Sequence, residues 1–481
     1  LSGRAATIAI TRMMNHGLIL ISPMILVRLL AVEDFGRYRE FLLYVGLASS
    51  IAAFGINSSL LRFVPGNAQT GWRFVNQAVL MTFISSVIVT GGMLILNTAL
   101  NGALVGDYGV LVALYVLFYV NIDFWEAFFL AEKRSFAVLR YTTGRLIARI
   151  VVVTTTAALT RDVHTIIVAL ITLEGLRLVI SAISWRVRAR AIDTIDPPKW
   201  REHLRYALPF GSALILVAVN RSMGALFVAK MLGPVALAHY AIGTYLQPVV
   251  SVIRNSLSDV VLPEMVSNDR KGSADRLHLW KRTTVVTAIL LIAAGVLLAH
   301  FADVIVTTLF SDAYRPAVVL FQLYVLVFLR EALDFGIPLR AMDKTAAILH
   351  SNMIALVVNA ALMFALTPLW GASGAVCSLV IARFIEGAYL ATRAARAYET
   401  SVRDLVPWKD LFKVLTAAAL AATVLYVAPW AEYLGLFSLV VGGALYMSVF
   451  VILLWALRIP EIAMLLHKLR SAPAVALRKH Q

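Results

Sequence analysis

Asp123-Phe124-Trp125-Glu126-Ala127-Phe128-Phe129-Leu130-Ala131-Glu132-Lys133 returns later in the chain, degraded but in register, as Asp334-Phe335-Gly336-Ile337-Pro338-Leu339-Arg340-Ala341-Met342-Asp343-Lys344. Each copy opens on Asp-Phe and closes on an acidic residue followed by Lys. The chain around both is strongly apolar, with 60% hydrophobic residues, 15% charged residues and a mean hydropathy of +0.82. Soluble domains hold roughly 45–50% apolar residues, so a water-soluble globule is excluded. A repeated segment in so apolar a chain points to a membrane protein of two duplicated halves, a plan common among transporters.

Apolar runs such as 78–96, 110–130, 285–298 and 348–366 recur along the whole length, and the longer ones can cross about 30 Å of hydrocarbon. They predict an all-α polytopic protein with about fourteen transmembrane helices. Two further echoes support duplication: Glu174-Gly175 returns as Glu386-Gly387, and 28–38 (RLLAVEDFGRY) returns as 230–240 (KMLGPVALAHY). The expected organisation is a six-helix lobe over 1–190, a linker over 191–203, a second six-helix lobe over 204–400, and an additional two-helix hairpin with a basic tail over 401–481. An even number of spans per half gives both halves the same orientation.

The formal net charge is +16. About 30 of the 43 basic residues fall in alternate connections, among them Lys133, Arg134, Arg140, Arg145, Arg340, Lys344, Arg393 and Arg396. The opposite connections, 97–107, 367–374 and 428–436, hold almost none. The positive-inside rule then places both termini of a multi-pass protein in the cytoplasm, and nucleic acid is not needed to explain the charge. Short outer connections leave no room for an external catalytic domain, which argues against an enzyme. No phosphate-cradling loop, zinc-ligand cluster or nucleophile elbow is present, so neither cofactor nor metal is expected. Cys377 has no internal partner for a disulfide. The chain opens on Leu1, which implies trimming, truncation or an alternative start, and its first apolar stretch reads as a retained helix instead of a cleaved signal.

Charges inside apolar spans are the strongest site signals, since each costs roughly 2.5–3.5 kcal/mol to insert. Glu174 with Arg177, Arg383 with Glu386, and Arg330 with Asp334 sit three or four apart, so each pair reads either as a structural ion pair or as part of a site. Arg12, Arg221 and Arg254 have no acidic neighbour at that spacing, which favours an aqueous cavity. Pro23, Pro209-Phe210-Gly211 and Pro248 are candidate kinks. Trp72, Trp125, Trp185, Trp200 and Trp280 read as interfacial anchors. Glu126, Asp259 and Asp334 are candidates to carry a coupling proton or cation, although Asp334, like Asp123, also reads as a marker of helix-end geometry.

The segments Val32-Glu33-Asp34-Phe35-Gly36-Arg37-Tyr38 and Phe54-Gly55-Ile56-Asn57-Ser58-Ser59-Leu60-Leu61-Arg62-Phe63 resemble the polysaccharide flippases of the multidrug/oligosaccharidyl-lipid/polysaccharide exporter superfamily. The resemblance covers nearly the whole chain. It implies export of a lipid-linked oligosaccharide, such as a polysaccharide or O-antigen precursor, across a bacterial inner membrane by alternating access. It also implies that the first, second, seventh and eighth spans border a central cavity, making Arg12, Arg28, Arg221 and Arg254 lining residues. Arg62 would meet the headgroup first or serve as an interfacial anchor. Guanidinium groups suit an anionic diphosphate. Membrane lipids and the polysaccharide polymerase machinery are the expected partners. The rival readings are a cation-coupled multidrug exporter of the same superfamily and a membrane glycosyltransferase or polymerase.

Overall fold

The computed structural model describes residues 3–65, 71–188, 197–267, 273–427 and 436–459. Among these residues there is no strand. The chain divides into two compact units, Leu1–Ala238 and His239–Gln481. Of the expected linker, 191–196 lies outside the described residues, as does the basic tail beyond 459.

The first unit holds α1 (Gly3–Leu29), α2 (Val32–Ala53), α3 (Ile56–Phe63), α4 (Gly71–Ala99), α5 (Gly109–Val120), α6 (Phe124–Ala131), α7 (Ser135–Thr160), α8 (Val163–Arg188) and most of α9 (Pro197–Gly243). The second holds the end of α9, then α10 (Gln247–Ser267), α11 (Ser273–His300), α12 (Ala302–Phe310), α13 (Ala317–Glu331), α14 (Gly336–Ala341), α15 (Thr345–Ala397), α16 (Val402–Leu405), α17 (Trp408–Val427) and α18 (Leu436–Ala456). Among the described residues, seven helices are long and apolar enough to cross a membrane, or eight if α2 and α3, bent by 45° at their junction, form one span. Many large apolar side chains point outward, including Ile88, Ile95, Val357 and Phe364, each at least 66% exposed. Such surfaces are aggregation-prone in water and ordinary against lipid tails.

Backbone breaks, more than helix ends, give the chain its shape. The helix α9 is interrupted at Gly233 (φ 81°) and α15 at Gly371 (φ 56°). Both glycines adopt left-handed conformations that other residues rarely take. The turn at Gly371 is so tight that a Cβ on Gly374 would lie 2.1 Å from the Leu366 carbonyl oxygen. The kinks expected at prolines fall elsewhere. Residues 209–211 stay helical within α9, and Gly211 instead lets the Phe54 carbonyl approach to 2.2 Å of where its Cβ would be. Pro23 lies inside the continuous α1. Pro248 opens the first turn of α10, where no helical N–H bond is lost, and its side chain lies outside the described residues. The apolar α12, with Ile305, Val306 and Phe310 buried, occupies a stretch that reads from sequence as a connection.

Candidate functional site

In the first unit a helix is broken at the quoted segment. The helix α5 stops at Val120 and α6 starts at Phe124, and between them ladder bonds give way to tighter turn bonds, the Ile122 and Asp123 N–H groups donating to the Tyr119 and Val120 carbonyls at 3.2 and 3.4 Å. Unsatisfied groups cost several kcal/mol in a bilayer. Side chains add to these bonds: Tyr141 Oη donates to the Ile122 carbonyl at 3.1 Å, and Asn121 Nδ2 donates to the Leu117 carbonyl at 2.7 Å and to Ser86 Oγ at 3.0 Å. Asp123 and Glu126 flank the break, and Arg145 of α7 binds both, Nη1 to Asp123 Oδ1 at 2.9 Å and Nη2 to Glu126 Oε2 at 3.4 Å. Arg177 pairs with Glu174 on its own helix and donates to Tyr141 Oη at 3.3 Å. One hydroxyl thus joins the break to the second ion pair.

The second unit repeats the break with other partners. The helix α13 ends at Glu331 and α14 begins at Gly336. Asp334 Oδ1 accepts the Gly336 N–H at 2.9 Å, and the Asp334 carbonyl accepts Trp280 Nε1–H at 3.0 Å. Arg254 of α10 donates to Glu331 Oε2 at 2.7 Å and lies 4.0 Å from Asp334 Oδ2. Arg340 lies at the same distance from that oxygen and donates to Ser258 Oγ at 2.8 Å. Glu386 receives Arg383 at 3.0 Å and Arg330 at 3.8 Å, and the Glu331, Arg330 and Glu386 side chains are each 8% exposed or less. Charges buried to this extent persist only when paired and hydrogen-bonded.

The echoes in the sequence correspond to repeated local structure. A Cβ on Gly175 would meet the Phe118 ring at 3.3 Å, and one on Gly387 would meet Arg330 Nε at 2.9 Å. Each Glu-Gly pair thus combines a buried carboxylate with a glycine that admits a side chain of the broken span. The short helices α6 and α14 end alike. Lys133 (φ 59°) and Asp343 (φ 55°) are left-handed, and the N–H groups of Arg134 and Lys344 reach back to the Phe129 and Leu339 carbonyls, both at 2.9 Å. This double-bonded helix terminus usually carries glycine at the left-handed position.

A family profile described as polysaccharide biosynthesis protein matches residues 25–319, more than half of the chain. The chain belongs to that family. The resemblance drawn from residues 32–38 and 54–63 is borne out, since both segments lie within the match. Among solved structures, the lipid II flippase MurJ in an inward closed conformation aligns with a TM-score of 0.69 at 15% identity, covering 92% of this chain and 98% of that one. A mutant of the Vibrio cholerae MATE transporter VcmN aligns with a TM-score of 0.49 at 10% identity, covering 84% and 99%. No curated protein sequence matches. This member of the polysaccharide biosynthesis family therefore has the all-helical polytopic fold of a membrane transporter.

In this family member the residues singled out from sequence fall into distinct settings. Arg28, in the last turn of α1, and Arg221, in α9, are exposed. Arg62, in α3, is exposed and lies over the Tyr206 ring at 4.8 Å. Arg254 and Asp334, given separate roles by the sequence, are brought together in one cluster. Glu126 is held by Arg145. The Arg12 and Asp259 side chains lie outside the described residues. Two expectations are corrected. Arg330 and Asp334 do not pair as helix neighbours, because α13 ends between them and Arg330 turns to Glu386. Trp125 and Trp280 are not interfacial anchors but buried, donating to Ser181 Oγ at 2.6 Å and to the Asp334 carbonyl; Trp185, half-buried, donates to Asn76 Oδ1 at 3.0 Å. Arg145, read as a connection residue, sits within α7 at 23% exposure. Its position near the middle of a 26-residue helix was the available signal.

Proposed function

We propose that this chain is a flippase that moves a lipid-linked oligosaccharide, a polysaccharide or O-antigen precursor, from the cytoplasmic to the periplasmic leaflet of the bacterial inner membrane. The observation that carries the reading is the family match over residues 25–319, joined to a fold shared nearly end to end with a lipid II flippase. Fourteen crossings follow if α9 and α15 turn back at Gly233 and Gly371, the second arm of α9 continues through α10 as one span, and each broken helix counts once, giving six-helix lobes over 1–190 and 204–400, a hairpin over 401–481 and cytoplasmic termini. Transport proceeds by alternating access through a cationic cavity.

Arg28, Arg62 and Arg221 are the cations we assign to the anionic diphosphate, together with Arg12. The first three side chains are exposed, and a guanidinium can make paired, charge-assisted bonds to phosphate oxygens. Arg254 joins them only if the headgroup displaces Glu331. A coupling proton or cation would act at Glu126, Asp259 or Asp334, and the polymerase machinery would receive the product.

Glu126, Glu331 and Asp334 each lie within 4.0 Å of an arginine, which disfavours the multidrug-exporter alternative, since cationic drugs need unneutralised acids. The membrane glycosyltransferase reading gains no support from the family match.

The test is a leaflet-accessibility assay in proteoliposomes with a lipid-linked oligosaccharide. Arg62→Ala with Arg221→Ala should slow translocation about 10-fold or more, the equivalent of one lost charge-assisted bond, while insertion is unchanged. Wild-type rates in the double variant would overturn the cation assignment, and no translocation by the wild type would overturn the flippase reading.

A further inference from the structure

Within the second unit, at the corner where α14 meets α15, lies a cavity of about 420 Å³. Its wall carries Lys344, Arg393 and Arg396, with Asp343, His350 and Tyr389 beside them. All three cations are exposed, and none has a carboxylate partner among the described residues. One is already oriented: Arg393 Nε donates to Tyr389 Oη at 3.0 Å, and its guanidinium lies 5.0 Å from the centre of that ring. Asp343 offsets one charge, leaving a net excess of positive charge in a concave site.

The two ends of α15 meet here, since residues 344–350 and 389–397 line the same cavity and the helix turns back at Gly371. A cavity shared by both ends of a folded-back, membrane-crossing helix sits at one membrane surface, whichever side that is. Below it, α15 presents Leu349, Met353 and Val357 outward at four-residue spacing, 46%, 50% and 67% exposed. One helix face therefore joins a cationic head site to an apolar track.

The corresponding corner of the first unit differs. Its short helix ends in the same way at Lys133, but Arg134 is paired there with Glu132 at 3.0 Å. The same local fold does not by itself require unpaired cations.

From these observations we infer that the corner of α14 and α15 binds the phosphodiester headgroup of an anionic membrane phospholipid, with the acyl chains lying along Leu349, Met353 and Val357. Basic pockets between membrane helices recognise such headgroups. The apolar track favours a lipid over free phosphate, which has nothing to place there. The site shares no residue with the cations assigned to the oligosaccharide and holds whether or not the chain transports one.

The test uses the purified full chain in detergent, titrated with phosphatidylglycerol or phosphatidylcholine, with bound lipid counted by native mass spectrometry. Phosphatidylglycerol should be retained preferentially. Arg393→Gln with Arg396→Gln should weaken its binding about 25-fold, at about fivefold per cation. Lys344→Gln, in the exposed connection, should weaken it about fivefold and gives the same answer if the double variant does not fold. Arg393→Lys with Arg396→Lys should keep most of the affinity, and Arg134→Gln all of it. Equal retention of the two lipids, or unchanged phosphatidylglycerol binding in both Gln variants, would overturn the site. Displacement of phosphatidylglycerol by excess inorganic phosphate would overturn the lipid assignment in favour of a free phosphate.

Discussion

In the first unit the broken span α5–α6 is held by Arg145, which comes from α7, the next helix in the chain; in the second, α13–α14 is held by Arg254 from α10, which comes before it. The acids around the two breaks correspond, Asp123 with Asp334 and Glu174 with Glu386, but their cations do not. At the spacing of the repeats, the partner of Arg145 is Leu356 and that of Arg254 is Ala52, while Arg177 falls on Tyr389 and Arg383 on Ile171. A carboxylate beside a helix break is tied to that break by backbone geometry. The cation that neutralises it can come from any helix packed nearby, because charge attraction does not depend on sequence distance. The two units have kept the problem and solved it separately.

This contrast is open to measurement, and its largest effect lies at Glu386. Glu386→Gln would strand Arg330 and Arg383 together, and removing one side of a buried ion cluster costs about 3–5 kcal/mol. A large fall in the thermal unfolding midpoint in detergent is expected. The matching change in the first unit, Glu174→Gln, breaks one close ion pair, to Arg177, which keeps its bond to Tyr141 Oη, and should lower it less; equal losses would erase the difference between the units.

Replacing the two clamps in turn should give a smaller gap. Arg254→Ala leaves Glu331 at 8% exposure, whereas Arg145→Ala leaves Asp123 and Glu126 at 36% and 35%, where water can take over. About 2–4 kcal/mol is expected for the first and about 1 kcal/mol for the second, read from denaturant midpoints. A reversed order would show that burial is not what separates the two clusters.

The smallest effect tests what the units share. Lys133→Gly and Asp343→Gly should each stabilise by about 0.5–1 kcal/mol, since both residues are held in a left-handed conformation that glycine adopts without strain. A gain in only one unit would mean that the two helix ends are not equivalent.

The apolar runs made the all-helical membrane fold legible, and the Asp-Phe and Glu-Gly echoes marked positions where the structure does repeat. What the echoes meant was less legible. Residues 121–123 and 332–335 are too few to disturb an apolar pattern, so the breaks read as span ends. Arg254 showed no partner on its own helix, and Glu331 stands 77 residues away, beyond any rule of helical spacing. Trp280 looked interfacial because its bond to the Asp334 carbonyl exists only once the helix there has broken. The interruption at Gly233 was legible, because it falls between two apolar runs at a Gly-Pro pair, which is itself a turn signal.

The hairpin closed by Gly374 against Leu366 has a consequence for how the chain enters the bilayer. From Thr367 to Gly374 the turn contains no charged residue, so the turn itself brings no charge into the hydrocarbon. The corner between α7 and α8 carries Arg161 and Asp162, and both must cross under the topology proposed above. Assembly of the second unit at this turn should therefore depend less on the insertion machinery and on membrane voltage than assembly of the first.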